Sequence, residues 1–149
     1  MRFTRTTVLS APKEQVWELL LRPSTLTFVA KGYVSFRGVH TFPERWSEGV
    51  SVDLKPSLFG LLPAGEHIVN FIHIDHDSGV METVEHGGIF ESWDHTMRVE
   101  AVAPDRTHYT DTIDFDASAL TRPAWLFVSS YYRHRQRRWP LLLQDDGGR

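Results

Sequence analysis

Two long alternating segments that run straight into one aromatic helix constrain this chain more than any other feature. Phe90–Val102 and Thr107–Ala117 alternate with a period of two and read as strands joined by a Pro104-Asp105-Arg106 turn. A helical period follows over roughly Arg122–Leu143. In the strand register Trp93, His95, Met97 and Val99 share one face, as do Tyr109, Asp111, Ile113 and Phe115. Asp94, Arg98 and Glu100 face the other way, with Thr110, Thr112 and Asp114. A face that mixes Trp, Met and Phe with His and Asp is unusual for a plain core, because a buried ionisable group is costly unless paired. It suits the wall of a cavity that holds something polar.

The upstream chain reads as more of the same sheet. Phe3–Leu9 alternates as a strand, and Ser10-Ala11-Pro12 opens an amphipathic helix over Pro12–Leu21 on which Val16, Trp17, Leu20 and Leu21 recur at helical spacing. A second short helix is expected over Pro23–Ala30, then strands over Tyr33–Val39 and Gly49–Leu54 joined by a turn. Lys55–Gly65 reads as a loop carrying Leu58, Phe59, Leu61 and Leu62. Glu66–His76 and Val80–Phe90 are strands divided by Asp77-Ser78-Gly79, with a bulge or bend at His86-Gly87-Gly88. On the closing helix Trp125, Val128, Ser129, Tyr132, Gln136, Trp139 and Leu143 form one face, with Arg135 at its edge, and Pro140 should bend or fray the last turn. Strand, helix, short helix, about six strands, long helix: the class is α+β, an antiparallel meander with its helices segregated to one side. The length suits a single domain, expected over residues 1–144, with Asp145–Arg149 as a flexible tail.

This element order resembles the START-like helix-grip superfamily, also called SRPBCC. The matching residues begin with Ala11-Pro12 before Val16-Trp17, then Trp46 with Gly49, and Pro63-Ala64-Gly65-Glu66-His67 opening a strand. Thr83-x-Glu85 before Gly87-Gly88, Trp93-Asp94-His95 and the pair Tyr109 and Asp111 continue it. Tyr132-Arg133-x-Arg135-Gln136-x-Arg138-Trp139 closes it, so the resemblance spans about residues 2–143 and looks most like uncharacterised bacterial members of the polyketide cyclase/dehydrase branch. The resemblance implies a curved antiparallel sheet of about six to seven strands wrapped around the C-terminal helix, with two short helices after the first strand and an apolar cavity between sheet and helix. It supplies no catalytic set that can be carried over residue by residue.

Within that cavity Glu85, His95 and Asp111 fall on inward registers and are the candidate acid/base groups. Trp93, His95, Met97, Tyr109, Asp111, Ile113, Trp125, Val128, Tyr132, Arg135 and Gln136 are the candidate ligand contacts, with Phe59 and Leu61 as a cap over the mouth. The competing structural reading has Arg135 neutralising Asp111 or Glu85 and tying helix to sheet.

Other classes are disfavoured by residue content. The chain has no cysteine, which removes disulfides, thiolate metal sites and a cysteine nucleophile. Eight histidines invite a metal, but His73 and His76 point to opposite faces of a strand, and no HExxH motif occurs, so no metal or other cofactor is expected. The basic run Arg133–Arg138 is split between helix faces, and a net charge of −3 gives no reason to expect nucleic acid. No apolar run approaches the roughly 20 residues of a membrane span, and Met1–Ser10 lacks the apolar core of a secretory leader, so a cytoplasmic protein without stable membrane insertion is expected. The expected function is binding of a small to medium hydrophobic ligand: a lipid, polyketide or aromatic-like molecule. Two alternatives stand beside it: a cyclase/dehydratase- or hydrolase-like enzyme using the cavity His and acids, and a dimeric or partner-binding protein without a small-molecule ligand. A monomer and a homodimer are both compatible with the residues.

Overall fold

In the computed structural model, which describes residues 1–148, the chain opens with strand β1 (Arg2–Leu9) and helices α1 (Lys13–Leu20) and α2 (Pro23–Ala30). Pro12 precedes α1 in an extended conformation and Pro23 sits in the first turn of α2, positions where a missing backbone N–H is harmless. Then come β2 (Val34–Phe36), β3 (Ser51–Asp53), β4 (Pro56–Leu58), β5 (Leu62–Pro63), β6 (His67–Asp75), β7 (Val80–Gly87), β8 (Phe90–Ala103) and β9 (Arg106–Asp116). A long helix, α3 (Thr121–Gly147), closes the chain. Six strands form one antiparallel sheet in the order β1-β9-β8-β7-β6-β3, and β2, β4 and β5 form a small second sheet. This is the α+β arrangement the sequence implied, with α3 packed on β1 and β9 and against α2.

Five segments depart from the sequence expectation. Tyr33–Val39 and Gly49–Leu54 do not pair: β2 joins β4 and β3 joins β6. The chain between them is pinned across the helices, where the Trp46 amide donates to the Leu21 carbonyl at 2.8 Å and the indole stacks on Phe71. The 55–65 loop is a small hairpin, β4–β5, whose turn places Phe59 and Gly60 both at positive φ (52° and 70°). That turn type is normally announced by Asn-Gly or Asp-Gly, so Phe-Gly hid it. The strand from Val80 has the expected irregularity, a register shift between Glu85 and Gly87, but ends at Gly87 rather than Phe90, and the chain reverses through Gly88 into β8. Only glycine fits at 87, since a Cβ there would collide with the Glu66 carbonyl. Finally, Asp145–Gly147, expected as a loose tail, is the last turn of α3, with Gln15 donating to the Asp146 carboxylate at 3.1 Å; Arg149 lies outside the described residues. Pro140 stays within α3 on an exposed face, where the hydrogen bond it forgoes is the least costly.

The apolar core is in two parts. One gathers α1 with Trp46, Phe71, Met81, Met97, Tyr109 and Trp139. The other gathers Phe3, Trp93, Ile113, Phe115, Val128, Tyr131 and Tyr132. Among the described residues no helix is long and apolar enough to cross a membrane.

Candidate functional site

A cavity of about 570 Å³ lies between the two parts of the core and is walled by both. Its floor is the inner face of β6, β7 and β8, through Val69, Phe71, Met81, Thr83, Trp93 and Met97. One flank is α3, through Ala124, Phe127, Tyr131, Tyr132, Arg135 and Trp139; α2 and the small sheet close the rest. The exposed lining residues are Gly88, Ile89, Leu120 and Pro123, so the mouth opens between the β7–β8 turn and the start of α3.

Sheet order explains which side chains reach this space. Helix α3 lies directly on β1 and β9, so the inward side chains of β9 are sealed beneath it, whereas those of β7 and β8 face the gap. Trp93, His95, Met97, Tyr132 and Arg135 line the cavity, and so does Glu85. Tyr109, Asp111 and Ile113 do not: all three are buried under α3. Trp125, Val128 and Gln136 also miss it, because the stripe of α3 that faces the cavity (Ala124, Phe127, Tyr131, Arg135) sits one residue, about 100°, round from the face expected. Half-buried Trp125 instead meets Phe3 edge-on, and the Gln136 amide donates to the Arg5 carbonyl (2.8 Å) and Asp111 Oδ2 (2.9 Å). Phe59 and Leu61 project from the β4–β5 tip, 55% and 82% exposed, and do not line the cavity; Phe59 leans on Tyr33 and Phe127. The sequence reading missed His67, Thr83, Trp46 and Tyr131 as lining residues. A period-two extension of the Glu85 face back to Thr83 was the available signal for one of them.

Two hydrogen-bonded groups, one around Glu85 and one joining His95 to Asp111 beneath α3, meet at the cavity floor. The Thr83 hydroxyl donates to Glu85 Oε1 (2.6 Å) and His67 Nε2 to Glu85 Oε2 (2.7 Å). His95 Nε2 donates to Asp111 Oδ1 (2.8 Å), which also accepts from the Tyr109 hydroxyl (2.8 Å). The other ring nitrogen, Nδ1, lies 3.8 Å from Glu85 Oε1 and 3.4 Å from the Tyr132 hydroxyl. His95 is thus clamped between two carboxylates. Burial would lower its pKa, but the bond to Asp111 and the nearby Glu85 carboxylate outweigh this and raise it. Burial likewise pushes both carboxyls up, but the bond from His67 and the nearby His95 bring Glu85, and the bond from His95 brings Asp111, below their ordinary range. Burial holds the Tyr109 and Tyr132 hydroxyls protonated.

Arg135 corrects the structural reading of the sequence. It is 8% exposed, yet among the described residues no carboxylate lies within ion-pair distance of it; the histidines, not the arginine, pair Glu85 and Asp111. Its guanidinium lies over the Tyr132 ring at 4.7 Å and the Tyr131 ring at 5.5 Å. Two other residues of the basic run pack against α2 and its end, while Arg133 and Arg137 are exposed: Arg138 donates to the Phe28 carbonyl and covers the Phe28 ring, and His134 lies 2.8 Å from the Lys31 carbonyl. Among the described residues no group of His, Asp and Glu is arranged to hold a metal ion. His76 accepts from the Trp17 indole and His73 lies 3.4 Å from Glu48.

The same architecture recurs in solved structures of low sequence identity. Protein CV1439 from Chromobacterium violaceum superposes with a TM-score of 0.73 at 12% identity over 95% of both chains. A START superfamily protein from Mycobacterium smegmatis gives 0.70 at 9% identity over 97% of both. Truncated norcoclaurine synthase from Thalictrum flavum gives 0.69 at 13% identity, over 96% of this chain and 92% of that one. This is a START-like helix-grip fold. No family model matches the chain, and no curated protein does. At these identities the START-like likeness concerns the fold, and function rests on the site.

Proposed function

We propose that this START-like protein binds a small to medium amphipathic molecule, apolar in body with at least one polar group, in the cavity between sheet and α3. One observation carries the reading: the core does not close, and leaves about 570 Å³ between its two parts. A volume within the roughly 300–1,000 Å³ of small-molecule sites, walled by aromatic and aliphatic side chains with a few convergent polar groups, has the make-up of such a site. Native protein interiors tolerate few voids larger than a water, so an open core of this size is costly without an occupant. Affinity comes from apolar burial at about 25 cal/mol per Å² and orientation from His67, Glu85, His95 and Tyr132. The exposed Phe59–Leu61 tip, leaning on Phe127 at the cavity flank, gates entry.

The test is titration with N-phenylnaphthylamine, an uncharged fluorophore, of wild type and Ala124→Trp, which fills the cavity from α3. Saturable binding that the variant loses while still melting cooperatively supports the reading. Unchanged binding by a folded Ala124→Trp protein places the site elsewhere and ends it.

A second reading, an acid–base enzyme, is favoured by His95 alone, a buried histidine backed by Asp111 and bordering the cavity. Norcoclaurine synthase in complex with dopamine and hydroxybenzaldehyde, at a TM-score of 0.62 and 12% identity, is an instance of this fold holding small molecules. Mass spectrometry of small molecules carried by wild type and His95→Gln separates the two. The same molecule in both favours binding alone, and a different, unreacted molecule in the variant favours catalysis.

A further inference from the structure

Building on the cavity reading, we infer that the ligand is an organic acid whose carboxylate pairs with Arg135. Charges inside the wall are mismatched. Glu85 and Asp111, the acids of the cluster, have their own donors: Thr83 and His67 for one, His95, Tyr109 and Gln136 for the other. Arg135, more than nine-tenths buried, has none of them within ion-pair reach, and Asp111 acts on it only through space. Burial disfavours its charge, but the guanidinium remains protonated, and the phenols of Tyr131 and Tyr132 beside it are neutral, since burial raises both. A ring face softens the loss of water around a cation without neutralising it.

An unpaired cation in a low-dielectric wall is an expensive feature unless an anion joins it. Arg135 lines the cavity together with Tyr131 and Tyr132, the rings its guanidinium lies over, so its side chain borders the space a ligand fills. The guanidinium also has the planar, forked donors that match a carboxylate in two parallel hydrogen bonds. Along α3 it lies two turns, about 12 Å, beyond Phe127, so the charged group sits inside and the apolar body occupies the aromatic and aliphatic walls. Two sources share this chemistry: a fatty acid, and an aromatic carboxylic acid suited to Phe90, Trp93, Phe127 and Tyr131. Neither requires a further cofactor.

The experiment is displacement of N-phenylnaphthylamine by matched pairs, decanoate against decanol and naphthoate against naphthol, at neutral pH. Wild type, Arg135→Lys and Arg135→Met are compared. The acid of at least one pair should displace the probe about tenfold or more better than its alcohol, as a desolvated charge-assisted pair provides. Arg135→Met should abolish that preference, so that acid and alcohol displace the probe equally from a protein that still melts cooperatively, and Arg135→Lys should keep part of it. Which pair carries the preference assigns the source. Equal displacement by acid and alcohol in wild type, or a preference that survives Arg135→Met, overturns the inference and leaves the cavity reading intact. Failure of the probe and the alcohols to bind at all overturns both.

Discussion

Replacing Trp139 with alanine tests whether α3 is gripped by the sheet. The indole is 1% exposed, borders the cavity, and lies 4.9 Å from the Tyr109 ring on β9. A buried Trp removes about 150–250 Å² from water, worth about 4–6 kcal/mol at about 25 cal/mol per Å². That is an upper figure, because an unfolded chain already covers part of this surface, and large aromatic deletions in cores run about 3–5 kcal/mol. The ring faces open space on one side and so has fewer partners to lose, which sets the expectation near about 3 kcal/mol. Trp125, half-buried and touching Phe3 edge-on, should cost only about 1 kcal/mol as alanine. Urea unfolding at constant m-value measures both. A Trp139→Ala loss below about 1 kcal/mol, or one no larger than that of Trp125→Ala, would refute the view that the sheet grips α3 at Trp139.

Phe59→Ser with Leu61→Ser should alter the rate of probe uptake and cost under about 1 kcal/mol, since both side chains are exposed and outside the cavity wall; a large loss of stability would put them in the core. Stability should also depend on pH on both sides of a plateau. Glu85 and Asp111 lie below their ordinary values of 4.5 and 3.8, so their contribution is complete above those values and is lost as pH falls through the depressed ones. His95 lies above its ordinary 6.5, so its contribution is complete below 6.5 and is lost as pH rises through the raised value. Unfolding free energies across the range should peak between 4.5 and 6.5, and His95→Gln should remove the alkaline limb; an unchanged limb in that variant would assign it to another group.

How far this was legible in the sequence depended on whether a local pattern carried the information. Period-two alternation put Trp93, His95, Met97 and Val99 inward and Asp94, Arg98 and Glu100 outward, and the structure has them so. The same alternation located the inward-facing Tyr109, Asp111, Ile113 and Phe115, but could not say that α3 would seal this strand and leave β7 and β8 open. That is a property of sheet order and helix placement, which no strand encodes by itself. The face of α3 was legible only in part, with Tyr132, Arg135 and Trp139 at the cavity but Trp125, Val128 and Gln136 away from it, for a related reason. Two stripes on it are apolar, the Trp125–Gln136 one against β1 and β9 and the Phe127–Arg135 one against the cavity, and periodicity cannot rank them. The β4–β5 hairpin was hidden by Phe59 at positive φ, a conformation few non-glycine residues adopt. The pairing of β2 with β4 depended on Trp46 holding the intervening chain over α1 and α2, a contact distant in sequence.

The methionine methyls offer the most direct measurement of the central claim, that a ligand occupies the space between the two halves of the core. The chain has three methionines. Met81 and Met97 are buried and line the cavity from β7 and β8, and Met1 is exposed at the N-terminus and away from it. Titrating N-phenylnaphthylamine into protein carrying isotope-labelled methionine methyls, the account predicts saturable shifts at Met81 and Met97 with Met1 unmoved. Saturable binding that leaves both buried methyls unshifted would contradict it.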